Sequence, residues 1–463
     1  MALAFHSLAS PEPYELLIIA PEAYGARLQS FIDFKQNQGI ATRYVSVEAI
    51  NESLRTSKPD LSLAEKIHIF VSREYESSGP KYLLLVGTYE SIPAKYVYSP
   101  SDEFGIADFN YKPTEWYYAV PEWDDSKIGL LGGNVPEIAV GRLPVRDEEE
   151  LEKVLSKIIW AEEHLQAGSF IIFGDFVKME SLLGIPYIFY ESNGNLTDKI
   201  QKMTLFQGVF YAMSCSHGTP SSLWTRAKEG GWRAFLSYKD FKGIEGIYGI
   251  HYLLACFTGA LDLEDVEGEV GGEGEGEADS LARSLIVSPK GPALVIASSR
   301  TESSDTTIPY NFWKTFFESG DVGQSFLIAL KQCIRDSAIF SMEKPRYQQY
   351  NFYLTKVIYG DVSWRVRDPK KTVVGLEARS PPVREPGQEP SLPKEIEGFA
   401  LGMDSEKNAK APKDQLIALS ALLVSVSLPF CIVSVLFRRF LFLSWRDKKA
   451  SIIQKFLRIC GFQ

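Results

Sequence analysis

His217 stands in the stretch SCSHGTP, directly before Gly218, and Cys256 stands further along in LLACFTG. Each occurs where an apolar run gives way to small residues. A thiolate is a strong nucleophile, and a histidine beside it makes it available near neutral pH, so the two residue types suit acyl transfer. Gly218 lets the chain turn sharply after the histidine and offers an unobstructed backbone N–H to a developing oxyanion, with the N–H of Cys256 as the second donor. The same residues also fit a core cysteine and a hydrogen-bonded histidine.

Two neighbours compete for the roles. Cys215 lies two residues before His217, a spacing that sends both side chains to one face of a strand but leaves them too far apart to share a proton directly. His251 precedes Cys256 by an odd number of residues, so a regular strand turns them to opposite faces. The five histidines and five cysteines form no HExxH, His-x-His or CxxC pattern. A metal centre and a disulfide framework therefore lack a ligand set, and no cofactor is required.

The elements that must position the pair alternate between strand and helix. YELLIIA (14–20), ATRYVSV (41–47), KYLLLVG (81–87) and EIAVGR (137–142) read as strands of the first half. Between them, Pro21 opens a helical stretch that Gly39 closes, a helix is expected over 61–75, and a long amphipathic one over 146–165. The second half repeats the pattern with SFIIFGD (169–175), GVFYAMSC (208–215), IYGIHYLLAC (247–256) and GPALVIASS (291–299), then a helix over 321–336. These strands lack polar alternation, so both faces are covered and a mostly parallel sheet flanked by helices is expected. In such a sheet ligands bind at the carboxyl ends of the strands, where His217 and Cys256 both fall.

With 463 residues, 45% of them hydrophobic, and a net charge of −10, the chain is a folded protein of two or three domains whose surface would repel nucleic acid. The segment 264–277, EDVEGEVGGEGEGE, reads as a flexible acidic insert. It lacks the ligand spacing of a calcium loop, which leaves calcium conceivable but unsupported. Residues 370–414 are rich in Pro, Glu and Lys and read as a stalk. The uncharged run at 416–437 is long enough to cross a membrane as one transmembrane helix (415–438). The basic tail after it (439–463) places that end in the cytoplasm and the bulk of the chain outside. No charged, apolar leader opens the sequence.

Several stretches together resemble the gingipain-type cysteine peptidases, a family with the caspase-like fold. They are YLLLVGTYESIPAKYV, EIAVGRLPVRDEEELEKVLSKII, SCSHGTPSSLW, LLACFTGALD and FFESGDVGQSFLIALK, and the likeness extends from about residue 14 to 366. It implies a Cys-His dyad made by Cys256 and His217, an N-terminal α/β subdomain (1–166) before a catalytic one (167–369), and polypeptide substrates. An acidic residue after an earlier strand can orient the histidine in that family, a place Asp175 fills here. Glu180 and Glu191 stand where an acid could line the pocket for a basic residue before the scissile bond. SCSHG departs from the family in carrying Cys215 where an aromatic or small residue is usual. A catalytically silent, membrane-anchored binding protein on the same fold is the alternative, since a fold does not decide function.

Overall fold

Runs such as Leu16–Ala20 and Tyr82–Val86 are apolar and buried along their whole length, the pattern of strands with both faces covered. In the computed structural model, which describes residues 13–98, 111–128, 133–165, 167–174, 185, 187–191, 209–226, 232–241, 246–262, 280–300, 306–340 and 354–373, they are the second and third strands from one edge of a ten-stranded sheet. The first half supplies β1 (Leu16–Ala20), β2 (Thr42–Ser46), β3 (Tyr82–Val86) and β6 (Ala139–Leu143), with β4 (Lys95–Tyr98) and β5 (Tyr111–Thr114) forming a separate antiparallel pair. The second half supplies β7 (Ser169–Gly174), β8 (Ile188–Glu191), β9 (Val209–Cys215), β13 (Ile247–Leu254), β14 (Gly291–Ser298) and β15 (Lys356–Gly360). The order across the sheet is β2-β1-β3-β6-β15-β14-β13-β9-β7-β8.

The helices are set by local chemistry as well as by burial. α1 (Gly25–Asn37) follows Pro21, and α2 (Val47–Arg55) takes its cap from Ser46, whose side chain accepts the Ala49 N–H. α3 (Leu63–Ser78) opens on a capping box between Ser62 and Glu65 and closes on left-handed Gly79. Short α4 (Trp116–Ala119) is followed by α5 (Glu148–His164), capped by Asp147 with three glutamates in its first turn, where acids favour the helix dipole. After it come α6 (Tyr238–Phe241), α7 (Leu281–Val287), α8 (Thr307–Ser319), α9 (Val322–Phe340) and α10 (Pro369–Thr372). α5 packs on β13 and β14, and α9 on β6.

The sheet is mostly parallel, as the sequence predicts, with one exception. β15 runs antiparallel to β14 and parallel to β6, so the last strand of the described chain sits in the middle of the sheet. A five-residue strand such as KVIYG carries no sign of its direction, so this insertion is not readable from hydrophobicity. Strands from both sides of the expected boundary at 166/167 belong to this one ten-stranded sheet. The acidic insert at 264–277, the stalk beyond residue 373, the apolar run at 416–437 and the basic tail lie outside the described residues. Among the described residues no helix is long and apolar enough to cross a membrane.

Candidate active site

β9 and β13 are parallel neighbours, with Cys215 opposite Leu254 at their carboxyl ends. Carrying that register two residues further sets His217 beside Cys256. Strand β9 ends at Cys215, however, and His217–Gly218 form a short strand of their own, β10. It pairs antiparallel with β11 (Ser222–Arg226), which pairs in turn with β12 (Trp232–Ser237). The histidine is thus held by a small second sheet standing at the end of the large one, rather than by β9 itself.

Gly218 shows how closely the two segments meet. A Cβ built there would lie 2.5 Å from the backbone O of Cys256, 2.9 Å from Ala255 Cβ and 3.0 Å from Thr258 Cγ2. Only glycine fits without displacing the cysteine's own backbone. His217 and Cys256 are both largely buried, at 6% and 7% exposure, so the pair faces a site from which most water is excluded.

The turn after Cys256 is pinned on several sides. Phe257 adopts a positive φ of 58°, an uncommon state for a bulky residue that neighbouring contacts must enforce. Its N–H donates to the Arg300 carbonyl at 3.0 Å, Gly259 N–H donates to the Ser298 carbonyl at 2.9 Å, and Thr258 Oγ1 donates to the Ala255 carbonyl at 3.1 Å. Arg300 itself grips Asp262, at the far end of the turn, through two bonds of 2.9 and 2.5 Å, and Tyr96 OH donates to the same carboxylate at 2.9 Å. The ends of β13 and β14 therefore hold the cysteine loop as one unit.

Burial pushes the Cys256 thiol up to about 12, opposed by the charge of Lys356 and by the cysteine's own backbone N–H. Lys356, at the start of β15, is fully buried, and its Nζ donates to Ser298 Oγ at 3.0 Å. Burial brings this lysine down to about 7, while Cys256 and Cys215 raise it. Lys356, Arg300 and Asp262 are neighbours that sequence reasoning missed. A lysine opening the run KVIYG looks like an ordinary strand-end residue until its partners are known.

His251 is fully buried, with Nε2 2.7 Å from Ser214 Oγ and Nδ1 2.8 Å from Tyr248 OH. Burial lowers it to about 3, so it is a neutral core histidine on β13. Cys215 is buried at the end of β9. Glu191 ends β8, paired with Gly174 at the carboxyl edge of the sheet, whereas Asp175 and Glu180 lie outside the described residues. Among the described residues no cluster of three His, Cys, Asp or Glu side chains could hold a metal ion.

The model of Peptidase family C25 matches residues 9–367. The chain belongs to that family of cysteine-type peptidases. Gingipain R2 of Porphyromonas gingivalis is 26% identical over 168 residues, which is 35% of this chain and 19% of that protein. Gingipain R1 of the same organism is 26% identical over 154 residues, 32% of this chain and 12% of its own length. The chain thus matches less than a fifth of either relative. The crystal structure of the Arg specific cysteine proteinase gingipain R superimposes with a TM-score of 0.54 at 17% identity, covering 77% of this chain and 79% of that one. A complex of the pro- and mature domains of the Porphyromonas gingivalis protease gives the same TM-score over 76% and 80%. The fold is gingipain-like.

Proposed function

We propose that this chain is a cysteine endopeptidase in which Cys256 is the nucleophile and His217 the acid–base partner. What carries the reading is the contact at Gly218, which leaves no room for a side chain between the His-Gly strand and the Cys256 carbonyl. Such close approach of backbones has a use where a proton must pass between the two side chains.

In the resting site the thiol keeps its proton, because burial holds it well above neutral pH. His217 accepts that proton as Sγ attacks the scissile carbonyl carbon, and the carbonyl electron pair moves onto oxygen. The N–H groups of Gly218 and Cys256 are the candidate donors to that oxyanion. Collapse of the tetrahedral species breaks the C–N bond, His217 returns the proton to the leaving amine, and an acyl thioester remains. Water, deprotonated by His217, then hydrolyses it and restores the thiol. Asp175 is the proposed partner that orients the imidazole. Glu180 and Glu191 are proposed to line the pocket for the residue before the scissile bond, which favours a basic side chain there.

The same proposal divides the chain into an N-terminal α/β subdomain (1–166) and a catalytic one (167–369), followed by a stalk and a single membrane helix over 416–437. The charge asymmetry about that run supports a catalytic part outside the cytoplasm, with exported or surface polypeptides as substrates and the basic tail inside. No cofactor enters the scheme.

Profiling the chain against a mixed peptide library tests the assignment. Cys256→Ala is expected to abolish hydrolysis and labelling by a peptidyl thiol electrophile, while Cys215→Ala keeps most of both. Equal loss in the two folded variants refutes the choice of nucleophile, and a wild-type chain that neither cleaves nor labels supports a silent binding protein.

A further inference from the structure

Three lysines are almost completely sealed from solvent among the described residues, Lys35, Lys157 and Lys356. A buried ammonium is costly unless it is paired or hydrogen-bonded. Lys35 meets two carboxylates, those of Glu162 and Asp361. Lys157 donates to the carbonyls of Leu285, Ile286 and Ser288 at 3.1, 2.7 and 2.8 Å, capping the end of α7. Lys356 has different company.

Ser298 is the register partner of Lys356 between β14 and β15. On the other side of β14, Tyr252 is opposite Ile296, so Leu254 falls opposite Ser298, and Leu254 is opposite Cys215. Lys356, Ser298, Leu254 and Cys215 therefore form one row across four strands, and register partners share a face. Tyr252 lies two residues below Leu254 on that face, and Cys256 stands in the turn that begins just beyond the end of β13. The lysine side chain follows the same face, with Nζ 3.0 Å from Ser298 Oγ and 5.5 Å from the centre of the Tyr252 ring. Ser298 also holds the cysteine loop, since its carbonyl accepts the Gly259 N–H.

We propose that Lys356 is a positioning residue for the nucleophile: its ammonium, sealed on the face of the sheet that leads to Cys256, stabilises the sulfur as a thiolate. The proposal rests on the reading of Cys256 as nucleophile. Groups bearing on the lysine from the elements around it include Cys256 just beyond β13, Tyr252 of β13, Cys215 of β9 and Ser298 of β14. Tyr252 stays a neutral phenol because burial raises it. The two thiols are acids with which the lysine can exchange a proton.

Such a pair has a pH signature. When thiol and ammonium together lose one proton, the product is either thiol with amine or thiolate with ammonium. Both hold the same number of protons, so their ratio does not change with pH. Only the thiolate alkylates. The rate consequently rises until the first proton is gone, then levels off, whereas an isolated buried thiol keeps gaining about tenfold per pH unit.

The test is alkylation of the full chain by iodoacetamide from pH 5 to 10, with Cys256 followed individually by peptide mass mapping. The expected profile for Cys256 levels off above roughly pH 7–8, because the lysine gives up its proton near 7. In Lys356→Met, confirmed as folded by circular dichroism, the levelling disappears and the rate at pH 7 falls at least about tenfold. Because a histidine pair also produces a plateau, His217→Ala is measured in parallel and should retain it. A wild-type rate that climbs without levelling, or a plateau lost in His217→Ala, overturns the proposal even if Lys356→Met does not fold. A plateau kept in folded Lys356→Met does so as well. Peptide hydrolysis that survives in Cys256→Ala refutes instead the reading of the nucleophile, so the two failures are distinguishable.

Discussion

Gly218→Ala gives the sharpest mechanical test of the site. The added methyl would lie 2.5 Å from the Cys256 carbonyl oxygen and 2.9 Å from Ala255 Cβ, against the ~3.5 Å or more at which non-bonded heavy atoms rest comfortably. Neither neighbour is the free end of a flexible side chain, so the His-Gly strand must retreat by about 1 Å. A displacement of that size between reacting groups costs roughly 100-fold in rate, and overpacking of this kind costs about 1–3 kcal/mol of stability. The variant should therefore show kcat/KM reduced about 100-fold, together with a Tm lowered by a few degrees. Gly249→Ala is the matched control. Its methyl would meet Phe210 Cδ2 at 2.5 Å and the Phe210 carbonyl at 2.7 Å, in β13 but away from the cysteine. Measured with the same peptide below both melting transitions, it should lose comparable stability and keep kcat/KM within about threefold. If Gly218→Ala retains wild-type kcat/KM, close approach at this glycine is not what places His217 against Cys256.

Other outcomes follow from the buried charges and the C-terminal run. His251 is lowered to about 3 by burial, so only the unfolded chain takes up its proton between pH 6 and 4. Stability should fall there by about 1.4 kcal/mol per pH unit from this group. Denaturant melts across that range should show a shallower slope for His251→Asn, and an unchanged slope refutes the assignment. Lys35→Met leaves the buried Asp361 carboxylate without its lysine and should cost about 3–5 kcal/mol. Burial raises Glu162 to about 8 against the opposing charge of Lys35, which urea denaturation of wild type and Glu162→Gln over a range of pH should register. Between the ordinary value of 4.5 and the raised one, the unfolded chain gives up this proton while the folded chain keeps it, so wild type should weaken relative to Glu162→Gln by about 1.4 kcal/mol per pH unit across that range and level off above about pH 8. A chain ending before Leu416 should leave the membrane fraction that the full chain occupies; equal partitioning of the two would remove the anchor from the proposal.

The strands of the large sheet were legible because their apolar runs do not alternate, and that requires cover on both faces. Their carboxyl ends pointed to His217 and Cys256. The odd spacing that separates His251 from Cys256 is matched by a histidine bonded instead to Ser214 and Tyr248. Direction and order were not legible. Nothing in KVIYG announces that it enters the middle of the sheet antiparallel to β14, and without that pairing Lys356 has no claim to burial. The antiparallel sheet that carries His217 was equally hidden, since β10 is two residues long and depends on β11 for its partner. Arg300 and Asp262 meet only because the ends of β13 and β14 are adjacent.

The central place of β15 also governs when the fold can be completed during synthesis. β6 leaves the ribosome early, yet its neighbour on one side is the last strand of the described chain, joined to it through Tyr359 and Arg142. Until residues 356–360 emerge, β6 and β14 each present an edge of unpaired backbone groups, a template for pairing with other chains. Such a distant closure is entropically slow to find. A nascent chain halted before Lys356 should accordingly be captured by chaperones or digested by added protease, and extension by some twenty residues should confer resistance abruptly. Assembly of the sheet and burial of Lys356 then become a single late event, so a partly made chain carries His217 and Cys256 without the strand that completes the sheet beside them.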